Sequence, residues 1–266
     1  MADQQTPSEE EASAQLRSLL DQALRRHEHY EREPWSVPEG TSLASDDARS
    51  QPLQVSHAVQ ALASVADDHL MTLRALFVDA NSLPTLAGAS LVRGALETAA
   101  AGLWILDAET RKQRVTNCLR WHAQDAHDAA RFASTLGAGE GSESMALVEE
   151  TTARAHIELP KRQALRSKTI LEGADEAMRR AELAGEGASD YLAMWQAASA
   201  FAHGRRWPML TLSDFEDTPG LQAARLGLRR VTARVDVLLV LTAHAHLMIE
   251  QIRRLWTERT AKPVDD

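Results

Sequence analysis

The sequence predicts an all-α protein, an irregular bundle of about seven or eight helices with no sheet. Three observations support this fold class. Alanine, leucine, arginine and glutamate dominate the chain, and these residues have high helix propensity. Alternating runs of β-branched residues, which are typical of strands, are almost absent. Apolar residues instead recur at helical spacing between breaks that contain proline and glycine.

Composition and charge limit the classes of protein to consider. The 266 residues suit one large domain or two small ones, and the apolar share of 44% is sufficient for a substantial core. The formal net charge of -9 disfavours a protein that coats nucleic acid, although it leaves a local basic patch open. Cys118 is the only cysteine, which excludes an internal disulfide and a cysteine-based zinc site.

The chain is expected to be cytoplasmic and without a membrane-embedded segment. A single cysteine is typical of a reducing compartment. Residues 1–10 contain neither a basic n-region nor an apolar h-region, so no signal peptide is expected. The apolar run at residues 237–243 is too short to cross a bilayer.

The N-terminal part is predicted to be one helix followed by a loop. Thr6, Pro7 and Glu9 have the arrangement of an N-cap, a first-turn proline and a capping glutamate, and the helix should end near Tyr30. Residues 34–52 are rich in Pro, Gly, Ser and Asp and are predicted to be a loop. The predicted organisation is a detachable N-terminal helix, a loop and a helical bundle domain, at residues 1–33, 34–52 and 53–266.

The bundle domain is predicted to contain a series of helices separated by breaks. Residues 205–218 should form an extended or looped connection, and Thr218 should begin a long last helix that ends near Arg259. The other predicted helices cover residues 53–80, 86–106, 109–136, 142–163, 161–183 and 191–203.

The helix over residues 86–106 is predicted to lie in the middle of the bundle because it is apolar on nearly every side. It nevertheless carries Ser90, Arg93 and Glu97 on one stripe, which Trp104 continues. Ionised groups are rarely buried without partners, since their desolvation is costly. We therefore expect the bundle to supply polar neighbours for Arg93 and Glu97.

A second group of polar and aromatic residues lies on the predicted helix 191–203. Tyr191, Trp195 and Ser199 share one broad face, and His203 lies in the last turn, where the helix dipole favours a protonated imidazole. In the simpler interpretation His203 is a C-terminal cap and the aromatic residues are core. In the functional interpretation Ser199 and His203 face the polar stripe of the central helix across a cleft.

These two patterns resemble an uncharacterised family of all-helical bacterial proteins. The shared features are Arg-x-x-x-Glu in an apolar helix that ends in Trp, and a late aromatic-x-x-x-Ser-x-x-x-His-Gly motif, here Arg93, Glu97, Trp104, Trp195, Ser199, His203 and Gly204. The resemblance implies that these residues lie together, but no activity. The leading hypothesis is a cytoplasmic binding or interaction module for an unknown ligand or protein partner, with ligand-binding residues Arg93, Glu97, Trp195, Ser199 and His203.

The rival hypothesis is an enzyme. Arg120 and His127 resemble the Arg-x(4–6)-His signature of the HEPN group, helical bundles that include metal-independent ribonucleases of the toxin or defence type. The resemblance implies that Arg120 would hold a phosphate and His127 would assist the transfer. The simpler interpretation is a solvated helix face. A homodimer stays open in either case, and the acidic net charge does not favour a nucleic-acid partner.

Metal and cofactor chemistry is not expected. The possible ligands of a metal site in the bundle core are His122, Asp125 and His127 on one predicted helix and Asp67, Asp68 and His69 on another. However, His122 and His127 are five residues apart, a poorer shared face than the i, i+4 spacing of a helical zinc pair. The sequence contains neither a dinucleotide fingerprint nor a phosphate loop. A basic strip on the last helix is predicted to be a solvated face, with a phosphate-bearing ligand as the alternative; its residues are Arg225, Arg229, Arg230 and Arg234.

Overall fold

The computed structural model describes residues 7–138, 142–159, 165–181, 191–217 and 229–262. Within them the chain forms ten α-helices and one two-stranded antiparallel sheet. The predominantly helical fold is confirmed. The predicted number of seven or eight helices is too low, and the prediction that the fold has no sheet is wrong. The helices are α1 Glu9–Arg32, α2 Ser42–Ser50, α3 Val55–Arg74, α4 Ala87–Leu106, α5 Arg111–Thr135, α6 Ser142–Arg154, α7 Ser167–Arg180, α8 Tyr191–Ala202, α9 Arg206–Thr211 and α10 Val235–Thr260.

Helix α2 lies inside the segment that was expected to be a loop, residues 34–52. The hydroxyl of Thr41 accepts a hydrogen bond from the Ala44 amide and so caps the helix. Leu43 is fully buried, as is Asp46, which pairs with Arg114 of α5. Because these stabilising contacts come from distant parts of the chain, local composition alone does not indicate the helix.

The sheet replaces part of the predicted connection and of the predicted last helix. Strand β1 covers Ser213–Asp217 and pairs antiparallel with β2, Arg229–Ala233. Helix α10 begins at Val235, after β2; Thr218, the predicted start of the last helix, lies outside the described residues. β-branched residues in β2, such as Val231 and Thr232, favour a strand. The basic strip is therefore not one helix face, since Arg229 and Arg230 lie on β2, Arg234 precedes α10, and Arg225 is outside the described residues.

Helix α6 ends earlier than predicted. His156 has a positive φ of 50° and occupies the left-handed position after the helix. The amide of Ile157 donates back to the Thr152 carbonyl and closes the turn. The predicted extension towards residue 163 includes Pro160, which lies outside the described residues.

The chain divides into two compact units, each assembled from three stretches. Unit 1 comprises residues 1–33, 65–97 and 186–247, and unit 2 comprises residues 34–64, 98–185 and 248–266. Helix α1 therefore belongs to unit 1 together with parts of α3, α4 and α10. That the N-terminal helix can detach from the rest of the chain stays a prediction.

Unit 1 buries one face of α1 and a polar network. Ser8 caps this helix and forms a capping box with Glu11. Thr6, the predicted cap, lies outside the described residues. Arg26 of α1 is almost fully buried; its guanidinium donates to the Asp67 carboxylate at 2.6 Å and lies 2.8 Å from Nδ1 of His246. The apolar side chains on the same face of α1 are Leu16, Leu20 and Ala23.

Helices α4 and α10 are long and apolar enough to cross a membrane by length and composition. Of their most apolar windows, however, 61% and 67% are buried inside the protein. Burial of this kind is typical of the core helices of a bundle. The expected cytoplasmic location and the absence of a membrane segment stay predictions.

Candidate binding site on helices α4 and α8

The charged pair at the centre of the prediction is formed within α4. Nη2 of Arg93 lies 3.2 Å from a carboxylate oxygen of Glu97, one helical turn away, and each side chain is 31% exposed. A half-buried pair of this kind is screened less than a surface pair. Ser90, which shares the stripe, is exposed. The structure therefore retains two of the three expected polar residues as a partly enclosed group.

An aromatic side chain of α8 completes this group within unit 1. The guanidinium carbon of Arg93 lies 5.9 Å from the ring centroid of Trp195. This is the geometry of a cation–π contact, which is most favourable with tryptophan. The sequence placed Trp195 on the face that was expected to meet Arg93, and the structure brings these two residues together.

Two nitrogen atoms of this group are buried but lack an acceptor. Nε of Arg93 and Nε1 of Trp195 each donate no hydrogen bond within the part of the chain that the structure describes. A buried donor that makes no hydrogen bond costs about 1–3 kcal/mol. Since most buried polar atoms in proteins are paired, two unpaired donors on side chains in contact are unusual among the described residues.

The position of α4 is constrained by a close approach of α3 at the neighbouring residue. A Cβ atom added to Gly94 would lie 2.3 Å from Nε2 of His69, so only glycine leaves room for the imidazole ring. His69 is half-buried. This contact brings α3 close to α4 at the residue next to Arg93. Sequence reasoning considered His69 only as part of an acidic and histidine cluster and did not identify this role.

Of the other two predicted ligand-binding residues, Ser199 lies further along α8 and His203 directly follows its last residue, Ala202. Ser199 is half-buried one turn after Trp195, and its carbonyl accepts a hydrogen bond from the His203 amide at 3.0 Å. His203 is exposed, and its side chain makes no hydrogen bond or ion pair among the described residues. Gly204, with a φ of 62°, then ends the helix. Among the described residues, no hydrogen bond or ion pair joins His203 to the charged pair.

Trp104 lies with Arg120 rather than with Arg93. It belongs to the unit 2 half of α4, where the guanidinium carbon of Arg120 is 5.4 Å from its ring centroid. His127, two turns after Arg120 on α5, is exposed. Between them His122 is half-buried, and burial lowers its pKa below the ordinary value. No described contact joins Arg120 to His127, so the ribonuclease hypothesis stays a prediction.

The side chains proposed as metal ligands do not converge. Across the described residues, no group of three His, Cys, Asp or Glu side chains could hold a metal ion. Asp67 forms a buried ion pair with Arg26. Asp68 is exposed to solvent.

A half-open groove in unit 1 shares helices α4 and α8 with the charged group. It is shallow, with an enclosed volume of only about 20 Å³, and neither Arg93 nor Trp195 lines it. Ala89, one turn before Arg93, and Phe201 belong to its wall. Arg234 is the charged residue of the lining, and it pairs with Asp236, whose pKa is lowered mainly by that hydrogen bond. The remaining wall is chiefly apolar, from residues such as Pro84, Leu212, Leu238 and Leu241.

No protein family, curated protein or solved structure matches this chain. Functional assignment therefore depends on the geometry of its own residues.

Proposed function

We propose that the protein is a binding module whose unit 1 takes a small ligand with an oxygen acceptor, such as a carboxylate, at Arg93 and Trp195. The observation that supports it is the presence of two buried N–H donors without an acceptor among the described residues. A carboxylate has two oxygens and could accept from both donors. Guanidinium groups bind carboxylates particularly well because their planar arrangement of donors matches the anion.

Recognition fits this group of side chains better than catalysis. The carboxylate of Glu97 is already paired with Arg93, and a general base needs access to the proton that it removes. Trp195 contributes a flat apolar face and one donor, which orient a ligand without changing it chemically. The neighbouring groove supplies an apolar wall. Because this groove is shallow, an apolar tail would lie against its open wall rather than inside a cavity. We therefore infer a ligand that combines a short apolar tail with a carboxylate.

A thermal-shift panel on the full chain tests this proposal. The probes are acetate, hexanoate and phenylacetate, with phenylacetamide as a neutral acceptor of similar shape. A ligand at ten times its Kd stabilises the folded state by about 1.4 kcal/mol, which corresponds to roughly 3–6 °C in a chain of this size. We expect the carboxylates with apolar tails to give the largest rise in Tm.

Two substitutions each remove one donor while preserving much of the side chain. Arg93→Lys keeps the positive charge without Nε–H, and Trp195→Phe keeps an aromatic face without the indole N–H. Each should abolish most of the ligand-induced shift. The matched control is Trp207→Phe on α9, where the indole is 50% exposed; this variant should respond as the original protein does. No shift with any probe, or equal shifts in all variants, would overturn the proposal.

The stability of the ligand-free protein separates a binding role from a structural one. Glu97→Gln preserves the shape of the side chain but removes its charge. Since both members of the pair are 31% exposed, the loss should be about 1 kcal/mol or less, well below that of a fully buried pair. A large fall in Tm would instead assign the pair a structural role.

A further inference from the structure

A second group of charged side chains lies in unit 2, around the N-terminal end of α5. Asp46 is fully buried and accepts two hydrogen bonds from Arg114, at 2.6 and 3.0 Å. The guanidinium of Arg114 also donates to the carbonyls of Ala108 and Glu109 and to the hydroxyl of Ser42. Arg114 is therefore fully satisfied, and it uses most of the acceptors in this region.

Two further arginines, Arg111 and Arg259, lie near acceptors that already accept hydrogen bonds from Arg114. Nε of Arg111 lies 3.7 Å from the Asp46 oxygen that already accepts from Arg114. Nη2 of Arg259 lies 3.4 Å from the Ala108 carbonyl, which also accepts from Arg114 at 3.0 Å. Both distances are long compared with a normal hydrogen bond. Arg111 and Arg259 thus share acceptors that are occupied by a better-placed donor.

Arg259 shows the consequence most clearly. Its Nε is buried and has no acceptor within the described residues. Burial lowers the pKa of Arg259, and the adjacent positive charge of Arg114 lowers it further, against the opposing effects of Asp46, Asp107 and Glu258. The carboxylate of Asp107 is in turn paired with Arg180. Asp46 is likewise paired with Arg114 and Glu258 with Arg254, so each carboxylate that acts on Arg259 already has another arginine partner.

We propose that Arg111 and Arg259 form a binding site for a small tetrahedral oxyanion, a phosphate or a phosphomonoester. Arg111 is the first residue of α5, and the N-terminal end of a helix adds a favourable dipole for an anion. Its side chain is 52% exposed, so the site is open to solvent on the Arg111 side, while Nε of Arg259 lies at its buried end. The anion accepts from Nε of Arg259 and from Arg111 and offsets the repulsion between the guanidinium groups. This site is independent of the ligand proposed for unit 1.

Thermal shifts with inorganic phosphate and with methyl phosphate, at constant ionic strength, test this site in the full chain. We expect a rise in Tm of roughly 3–6 °C at ten times the Kd. A larger rise with methyl phosphate assigns the site to phosphomonoesters, and equal rises assign it to the free anion. A binding constant that is the same in Arg93→Lys distinguishes this site from the one in unit 1.

The variants Arg111→Gln and Arg259→Gln should lose the phosphate response. Without phosphate, Arg259→Gln should have an unchanged or higher Tm, because it removes a cation that lies close to Arg114; a merely structural role predicts a lower Tm. The control is Arg254→Gln on the same helix, whose side chain is 55% exposed and pairs with Glu258. The absence of a phosphate shift, or a shift of equal size in all three variants, would overturn the proposal.

Discussion

Asp46→Asn is expected to be among the most destabilising single polar substitutions in unit 2. The Asp46 and Arg114 side chains are 0% and 3% exposed, and two hydrogen bonds of 2.6 and 3.0 Å join them. Asparagine has nearly the same shape, so the substitution removes the negative charge with little change in packing. Arg114 then remains as a buried cation without a counterion.

The expected magnitude follows from this burial. Removing one member of a buried ion pair costs about 3–5 kcal/mol, a large part of the typical 5–15 kcal/mol by which a domain is stable. For a chain of this size each kcal/mol corresponds to roughly 2–4 °C. The Tm should therefore fall by about 6–20 °C, with a parallel decrease in the urea midpoint followed by far-UV circular dichroism.

An exposed pair of nearly equal length provides the control. Arg131 and Asp128 lie 2.7 Å apart, but their side chains are 79% and 47% exposed. Asp128→Asn should change stability by about 1 kcal/mol at most. The double variant Asp46→Leu with Arg114→Met, which leaves no unpaired charge, should be more stable than Asp46→Asn alone. Equal losses for Asp46→Asn and Asp128→Asn would refute the reasoning.

Two other predictions concern histidines. Burial lowers the pKa of His244, and the hydrogen bond to the Val240 carbonyl opposes this effect less strongly. The neutral imidazole is therefore favoured in the folded protein. The contribution of His244 to stability is complete above the unfolded pKa of about 6.5 and is lost as the pH falls below that value. The Tm should decrease between pH 7.5 and 5.5 less steeply in His244→Gln than in the original protein or in the exposed control His127→Gln, and an equal slope in all three would contradict this. The ribonuclease hypothesis predicts that the protein cleaves a mixed RNA pool without a metal ion, and that Arg120→Ala and His127→Ala each abolish this cleavage. Cleavage that persists in both variants, or the absence of cleavage by the original protein, would reject the hypothesis.

The sequence predicted the parts of the fold that are encoded locally. The central helix was expected at residues 86–106 and is found at Ala87–Leu106, since its apolar pattern is strong and continuous. Helix α2 was missed because it has only nine residues and depends on the burial of Leu43 and the pairing of Asp46. The sheet was missed because each strand has only five residues.

In the candidate site, as in the fold, the sequence predicted the local contacts better than the tertiary ones. The Arg93–Glu97 pair follows from their i, i+4 spacing in one helix. The contact between Arg93 and Trp195 joins residues that are distant in the chain, and only the shared-face argument pointed to it. Trp104 was expected to continue the same stripe but contacts Arg120, because the far end of a long helix packs against different neighbours. The unpaired donors depend on exact tertiary packing, which no sequence pattern reveals.

The most direct test of the proposed function is the indole N–H resonance of Trp195 during a titration with phenylacetate. A ¹H–¹⁵N spectrum of the full chain resolves the tryptophan indoles, and Trp195→Phe assigns this one by its disappearance. If the carboxylate accepts a hydrogen bond from Nε1, the Trp195 resonance should move downfield, and that of the exposed Trp207 should stay in place. A Trp195 resonance that does not move while phenylacetate binds, or a protein that does not bind phenylacetate, hexanoate or acetate, would contradict the proposal.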